Sequence, residues 1–214
     1  MITAASNSRI KRLVQLNQKS KLRRTEDVFL AEGVKMFLEA PREQLQEVYV
    51  SESFLEKCSC REHLEEVGYE VVSDSVFSKI SDTCTPQGVL CVLKQFHYNI
   101  EEMLRDKAPL FLLLENIQDP GNLGTMLRTG EGAGVSGIIM SRDTVDLYNP
   151  KVIRSTMGSI YRVPFYYADD FAAAVHQVQQ AGVSVYAAHL RGKNSYACQD
   201  YTKGTAFLIG NEGN

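Results

Sequence analysis

The residues with the clearest chemical potential lie in one run, Glu115-Asn116-Ile117-Gln118-Asp119-Pro120-Gly121-Asn122-Leu123-Gly124-Thr125-Met126-Leu127-Arg128-Thr129-Gly130. It follows an apolar stretch, Pro109 to Leu114, whose uninterrupted hydrophobicity predicts a buried parallel strand. Asp-Pro-Gly-Asn then predicts a tight turn, because Pro fixes φ and Gly permits positive φ. Asn122 stands where an N-cap is expected, ahead of a helix over 122–133 that Gly134 can end. Arg128 falls about two turns into that helix. Polar groups are thus expected at the carboxyl end of a strand, where open α/β sheets tend to bind ligands.

A second strand-end loop follows the apolar run Ala206 to Ile209: Gly210-Asn211-Glu212-Gly213. Its glycines would let backbone N–H and C=O groups approach a ligand, with Glu212 as an acceptor beside them. Taken alone, such a turn is more often structural than functional. No GxGxxG opens a helix and no Walker pattern occurs, which excludes a recognisable Rossmann or P-loop site. No His falls within either run. Asp119 and Glu131 could be read as a carboxylate pair, but turn and helix-surface roles fit them better.

The elements that must hold these loops fall into two alternating α/β blocks. In the first, Ser6 or Asn7 can cap a helix with an apolar stripe at Ile10, Leu13, Val14 and Leu16. Strands are expected over 28–31, 47–50, 69–72 and 89–93, with helices over 34–40 and 54–66, the latter closed by Gly68. Residues 99–108 read as a linker. The second block has strands expected over 110–114, 137–140, 161–165, 183–188 and 206–209, with helices over 122–133, 150–158 and 169–181. The expected domains are therefore 1–98 and 109–214.

A chain of 214 residues can form one large domain or two small ones. Its 44% hydrophobic and 23% charged content is ordinary for a soluble globular protein. No apolar run approaches the roughly 18–20 residues needed to span a bilayer, and no membrane association is expected. The five cysteines are odd in number and scattered, and Cys58-Ser59-Cys60 is too tight for usual zinc spacing. No metal is expected, and the cysteines suit reduced thiols in a cytoplasmic protein.

The net charge of −3 conceals an asymmetry. Residues 1–24 carry Arg9, Lys11, Arg12, Lys19, Lys21, Arg23 and Arg24 with no acidic residue, whereas residues 25–107 carry 17 acidic side chains against eight basic. A basic arm on an acidic body suits contact with nucleic-acid phosphates. A solvated amphipathic helix is the competing explanation.

Together these pieces resemble the SpoU (TrmH-like) branch of the SPOUT methyltransferases. Asn116-Ile117-Gln118-Asp119-Pro120-Gly121-Asn122-Leu123-Gly124-Thr125 with Arg128-Thr129 is similar to that family's first motif, and Ile209-Gly210-Asn211-Glu212-Gly213 to its second. Lys151 to Ser159 and Arg162-Val163-Pro164 resemble the intermediate segment. The N-terminal residues, with Phe29-Leu30-Ala31-Glu32-Gly33, resemble the family's substrate-binding extension. The resemblance implies a small L30e-like α/β sandwich followed by a SPOUT-type α/β domain with a parallel sheet and trefoil knot. It implies S-adenosylmethionine-dependent methylation of an RNA ribose 2′-hydroxyl, ribosomal large-subunit RNA being favoured over tRNA, by a homodimer. On that pattern Asn122, Arg128 and Glu212 are catalytic-site residues. Gly210 and Asn211 contact the cofactor, and Ala188-His189-Leu190 forms another wall of its pocket. Arg154 joins the seven N-terminal cations as an RNA-binding candidate.

A ribose hydroxyl is a poor nucleophile, so methyl transfer requires its alignment on the methyl carbon and loss of its proton. Guanidinium stays charged in proteins, so Arg128 suits a phosphate clamp or a developing alkoxide better than a general base. Family members carry a third motif after the second, whereas this sequence stops at Asn214. The expectation is a fragment or truncated form whose knot does not close and which binds S-adenosylmethionine weakly. The alternatives are a non-catalytic RNA-binding or ribosome-assembly protein on the same fold, and a tRNA 2′-O-methyltransferase.

Overall fold

The computed structural model describes residues 1–192 and 195–211. In chain order the elements are α1 (Ser8–Gln18), α2 (Ser20–Glu26), β1 (Val28–Glu32), α3 (Val34–Leu38), β2 (Leu45–Ser51), α4 (Glu52–Lys57), α5 (Arg61–Val67), β3 (Glu70–Val72), α6 (Asp74–Ile80) and β4 (Val89–Lys94). They continue with α7 (Ile100–Met103), β5 (Leu110–Leu114), α8 (Pro120–Ala133), β6 (Gly137–Ser141), α9 (Pro150–Thr156), β7 (Phe165–Ala168), α10 (Phe171–Gln180), β8 (Ser184–Ala187) and β9 (Thr205–Ile209). Two compact units result: residues 1–96 with 146–161, and residues 97–145 with those from 162 onward.

The first unit is built on a mixed sheet of order β1-β4-β2-β3. β4 runs antiparallel to both β1 and β2, and β2 parallel to β3. Val89 to Leu93 are all buried, because β4 is covered on both faces and needs no polar alternation. Asn7 caps α1, its Oδ1 accepting from the Arg9 amide at 2.9 Å. The expected stripe of Ile10, Leu13 and Leu16 is buried against Val76, Phe77 and Ile80 of α6 and the sheet.

Several local expectations are corrected. The helix expected over 54–66 is two helices, because Cys58 turns extended and ends α4 before Arg61 begins α5. The strand expected over 161–165 is a 3₁₀ turn at Ser159–Tyr161, and β7 starts only at Phe165. Pro164 has no N–H to give the ladder; its carbonyl instead accepts from the Ile138 amide. α2, α6 and α7 have no counterpart among the expected elements, α7 lying within the stretch 99–108 expected as a linker. The unit boundary also differs from the expected domains: residues 146–161 fall within 109–214, yet pack in the first unit. There α9 buries Val152, Ile153 and Thr156, Tyr148 stacks at 4.8 Å from Phe29, and the Tyr161 hydroxyl donates to the Met36 carbonyl.

The second unit holds a fully parallel sheet of order β7-β6-β5-β9-β8. Its two faces are both covered. Phe111, Leu113, Ile139 and Ala206 pack under Ala174 and Val178 of α10. On the opposite face α8 approaches so closely that a Cβ on Gly130 would lie 3.3 Å from a Leu112 methyl. Double coverage explains why β5 and β6 read as unbroken apolar runs. From β5 the chain moves through β6 and β7 to one edge, then returns to place β9 on β5's other side. The carboxyl ends therefore diverge at β5 and β9, the switch point at which α/β sheets open a crevice.

Candidate active site

At the carboxyl end of β5 the ladder continues one step, with the Glu115 amide donating to the Ile209 carbonyl at 2.9 Å. Asn116 then adopts a left-handed conformation, φ 54°. Asn accepts this region more readily than other side chains, since its short polar group can bond locally. Here the Asn116 Oδ1 accepts from Gln118 Nε2 at 2.6 Å. The reversal was expected at Gly121; it occurs at Asn116 instead, and the next residues are free to enter a helix at once.

α8 accordingly begins at Pro120, earlier than the expected Asn122. Asp119 is its N-cap, with Oδ1 accepting from the Asn122 amide at 2.7 Å, and Pro120 fills the first turn where its missing N–H costs nothing. Gly134 ends the helix in a left-handed conformation, as expected. Asn122 and Arg128 are both exposed, and among the described residues Arg128 has no ion-pair partner. Glu131 pairs with Arg162, so it and Asp119 hold separate structural posts rather than a shared acid–base pair.

The carboxyl ends of all five parallel strands surround a cavity of about 790 Å³. Glu115 and Asn116 follow β5, Ser141 ends β6 and Arg142 and Asp143 follow it, and Ala168 ends β7 ahead of Asp169, Asp170 and Phe171. Ala187 to His189 close the β8 side, and Leu208, Gly210 and Asn211 the β9 side. The volume lies in the range of roughly 300–1,000 Å³ typical of small-molecule sites. Among the described residues, its chain neighbours aside, a Cβ on Gly210 would meet no atom within 4 Å. The charged residues of the lining are mostly acidic (Glu115, Asp143, Asp169, Asp170), with Arg142 paired to Asp169. His189 is tied locally, its Nδ1 accepting from the Arg191 amide at 3.0 Å.

Of the expected cofactor residues, Ala188, His189, Gly210 and Asn211 all line this cavity. Leu190 does not; it is fully exposed. Glu212 lies outside the described residues. Glu115, Asn116, Arg142, Asp143 and Asp170 line the cavity without having been singled out as cofactor residues. Their signal was positional, since each follows a parallel strand of the same sheet.

The basic segment divides sharply. Arg23 was expected on an RNA-facing surface, but it is only 3% exposed. Its guanidinium donates to the Leu16 and Asn17 carbonyls at 2.6 and 3.1 Å, capping α1, and to Asp146 Oδ2 at 2.5 Å. Arg12 is half-buried between Glu26 and Glu47, at 2.7 and 2.8 Å. Burial opposes its charge, but the two carboxylates outweigh burial and raise its pKa. Arg9 pairs with Glu70 at 3.2 Å, and Arg154 with Asp82 at 3.1 Å. Lys11, Lys19, Lys21 and Arg24 remain exposed, with no ion-pair partner among the described residues. Within the basic segment, those four are the cations available to a polyanion. Among the described residues no helix is long and apolar enough to cross a membrane, and no group of His, Cys, Asp and Glu could hold a metal.

Comparison with known proteins agrees with this geometry. The model of the SpoU rRNA Methylase family matches residues 109–214, and that of the MRM3-like substrate binding domain matches residues 7–91. The chain is 31% identical to the 23S rRNA (guanosine(2553)-2′-O)-methyltransferase RlmP of Bacillus subtilis, covering 99% of this chain and 82% of that protein. An AdoMet-bound rRNA methyltransferase from Sinorhizobium meliloti superposes with a TM-score of 0.82 at 28% identity, covering 99% and 81% of the two chains. The SpoU methyltransferase AviRb from Streptomyces viridochromogenes, at 22% identity, shares the fold with a TM-score of 0.85 over 97% of this chain and 82% of AviRb. With the two family models matched in sequence order and the identity sustained across both, the chain belongs to the SpoU rRNA methylase family.

Proposed function

We propose that this protein transfers the methyl group of S-adenosylmethionine to a ribose 2′-hydroxyl of RNA, with large-subunit ribosomal RNA as the substrate. The observation that carries the reading is the 31% identity to a 23S rRNA 2′-O-methyltransferase, sustained over both the substrate-binding and methylase blocks.

The cavity fits the cofactor on physical grounds. S-adenosylmethionine carries a sulfonium and an ammonium against one carboxylate, and the acidic lining of Glu115, Asp143 and Asp170 complements that excess positive charge. Ala187, Ala188 and Gly210 present little side-chain bulk, which suits a flat ring lying against strand-end backbone. Gly210, Asn211, Ala188 and His189 would hold it. When bound, the cofactor supplies an electrophilic methyl group.

The protein's own task is alignment. Asp119 fixes the first turn of α8, which carries Asn122 and, two turns on, Arg128. Arg128, exposed and without an ion-pair partner among the described residues, holds the target phosphate or the negative charge growing on the ribose oxygen. Proton loss is late and goes to water, since neither motif supplies an imidazole. In the first unit Lys11, Lys19, Lys21 and Arg24 draw in the RNA backbone. The reading includes a homodimer, with each site completed by the second copy; a monomer at working concentration in sedimentation counts against that part.

The test is tritium transfer from labelled S-adenosylmethionine to ribosomal RNA lacking the modification, followed by mapping of the labelled nucleotide. Label on a ribose 2′-oxygen is expected. Label confined to bases, or RNA binding with no transfer, overturns the reading in favour of other chemistry or a non-catalytic role.

A further inference from the structure

The parallel ladder between β5 and β6 reaches its last pair at Leu114 and Met140. Two residues past Leu114, the left-handed turn at Asn116 takes the Asn116 and Ile117 amides out of the backbone ladder. Buried amides must find acceptors or cost stability. Two hydroxyls receive them. The Asn116 amide donates to Ser141 Oγ at 2.8 Å, and the Ile117 amide donates to Thr144 Oγ1 at 3.3 Å. Ser141 and Thr144 are 7% and 5% exposed, so solvent is poorly placed to substitute.

The hydroxyls also serve each other. Their oxygens lie 3.2 Å apart, and Thr144 Oγ1 is 3.4 Å from the Leu114 carbonyl. One arrangement of protons satisfies every group: Ser141 donates to Thr144, Thr144 donates to Leu114, and each oxygen meanwhile accepts one amide. Only a residue that donates and accepts at once can fill position 144. Around this relay the two loops are laced further. Gln118 Nε2 donates to Asn116 Oδ1 and to the Asp143 carbonyl, both at 2.6 Å. The Val145 amide donates to the Ile117 carbonyl at 2.9 Å.

What hangs on this lacing is the site itself. On one side Glu115, Asn116, Ser141, Arg142 and Asp143 form a wall of the strand-end cavity. On the other, Gln118 leads directly into Asp119, the cap that sets the start of α8 and so the placement of Asn122 and Arg128. Methyl transfer needs the ribose oxygen and the methyl carbon in line, and an error of about 1 Å costs roughly 10²-fold in rate. Resting on the methyl-transfer reading above, we propose that Ser141 and Thr144 are positioning residues, whose hydroxyl relay fixes the helix carrying Asn122 and Arg128 against the cofactor cavity. Thr144 lies outside the cavity lining, and both hydroxyls act through the backbone of residues 114–117.

Thr144→Val keeps the shape and deletes the hydroxyl, Thr144→Ser keeps the hydroxyl and deletes the methyl, and Ser141→Ala removes the other member. The readouts, made on the full-length protein, are steady-state methyl transfer to ribosomal RNA and amide hydrogen exchange of residues 114–118. Thr144→Val is expected to lower kcat at least about tenfold, with KM for RNA and cofactor changing less than about twofold. Exchange at Asn116 and Ile117 is expected to quicken at least about tenfold while β6 and α10 stay protected. Thr144→Ser is expected to restore both. Should Thr144→Val lack a cooperative unfolding transition, Ser141→Ala carries the same expectations for kcat and exchange, but not for the cofactor KM, because Ser141 also lines the cavity. Unchanged kcat, unchanged exchange, or a loss seen only in KM overturns the proposal. If the unsubstituted protein methylates no RNA, the functional reading fails separately. The exchange data then decide the relay: lost protection in Thr144→Val upholds the lock, and retained protection overturns it.

Discussion

The division of the basic segment makes a quantitative prediction about salt. Each phosphate neutralised on nucleic acid contributes roughly 0.7 (single strand) to 0.9 (duplex) to the slope of log K against log salt. All seven N-terminal cations acting on RNA would contribute a slope of roughly −5 to −6. Arg9, Arg12 and Arg23 are already engaged by Glu70, by Glu26 and Glu47, and by Asp146 with two carbonyls. Lys11, Lys19, Lys21 and Arg24 are left, for a slope of roughly −3 to −4, or a roughly 50- to 150-fold loss of affinity between 50 and 200 mM salt. The perturbation is the fourfold substitution Lys11→Gln, Lys19→Gln, Lys21→Gln, Arg24→Gln, compared with the double substitution Arg9→Gln, Arg12→Gln. The assay is RNA affinity by fluorescence anisotropy at five salt concentrations. The fourfold variant is expected to flatten the slope by about 3 units, and the double variant by less than about 0.5. A flattening of two units by the double variant, or none by the fourfold one, refutes the reasoning, because free charge rather than sequence charge is what releases counterions.

Three further outcomes follow from the geometry. Arg23→Met strands Asp146 and the Leu16 and Asn17 carbonyls; with Asp146 partly solvated, the loss should be about 3 kcal/mol by urea unfolding, and Asp146→Leu added to it should recover part. A loss below about 1 kcal/mol contradicts the assigned capping role. Gly88→Ala places a Cβ 2.4 Å from the Phe54 Cβ at a backbone φ of +82°, so the melting temperature should fall by an amount matching about 2–4 kcal/mol. An unchanged melting temperature would show that β4 is entered differently. Arg128→Lys should lower turnover about 100-fold, since an ammonium cannot reproduce the planar fork. Near-normal kcat with only weaker RNA binding would exclude both a base role and bidentate clamping.

Much of the site's frame could be read along the chain because it rests on local rules. The apolar run at Leu110–Leu114 became β5, Gly134 ended α8, and the periodic stripe of α1 was buried as its spacing required. Errors occurred where one local signal competed with another. Asp119 and Asn122 are both good caps three residues apart, and Pro120 decided between them by preferring the first helical turn. Gly121 and Asn116 both tolerate positive φ, and Asn116 took it because the chain must leave the ladder there. Near Pro164 a β-rich composition suggested a strand, but the missing N–H delayed pairing to Phe165.

The sequence by itself determined the family, the alternating α/β plan, and the two loops that flank the cavity. Those depend on residue types within about a dozen positions of one another, where propensity and periodicity act. Tertiary structure alone decided which charges are spent. Arg23 meets Asp146 across 123 positions and Arg154 meets Asp82 across 72, so both look free along the chain and neither is. It alone also moved residues 146–161 into the first unit, and brought Ser141 and Thr144 beneath the turn at Asn116. The physical reason is that polar and charged groups pair with whatever the fold brings near them, and proximity in a packed fold bears little relation to proximity in sequence.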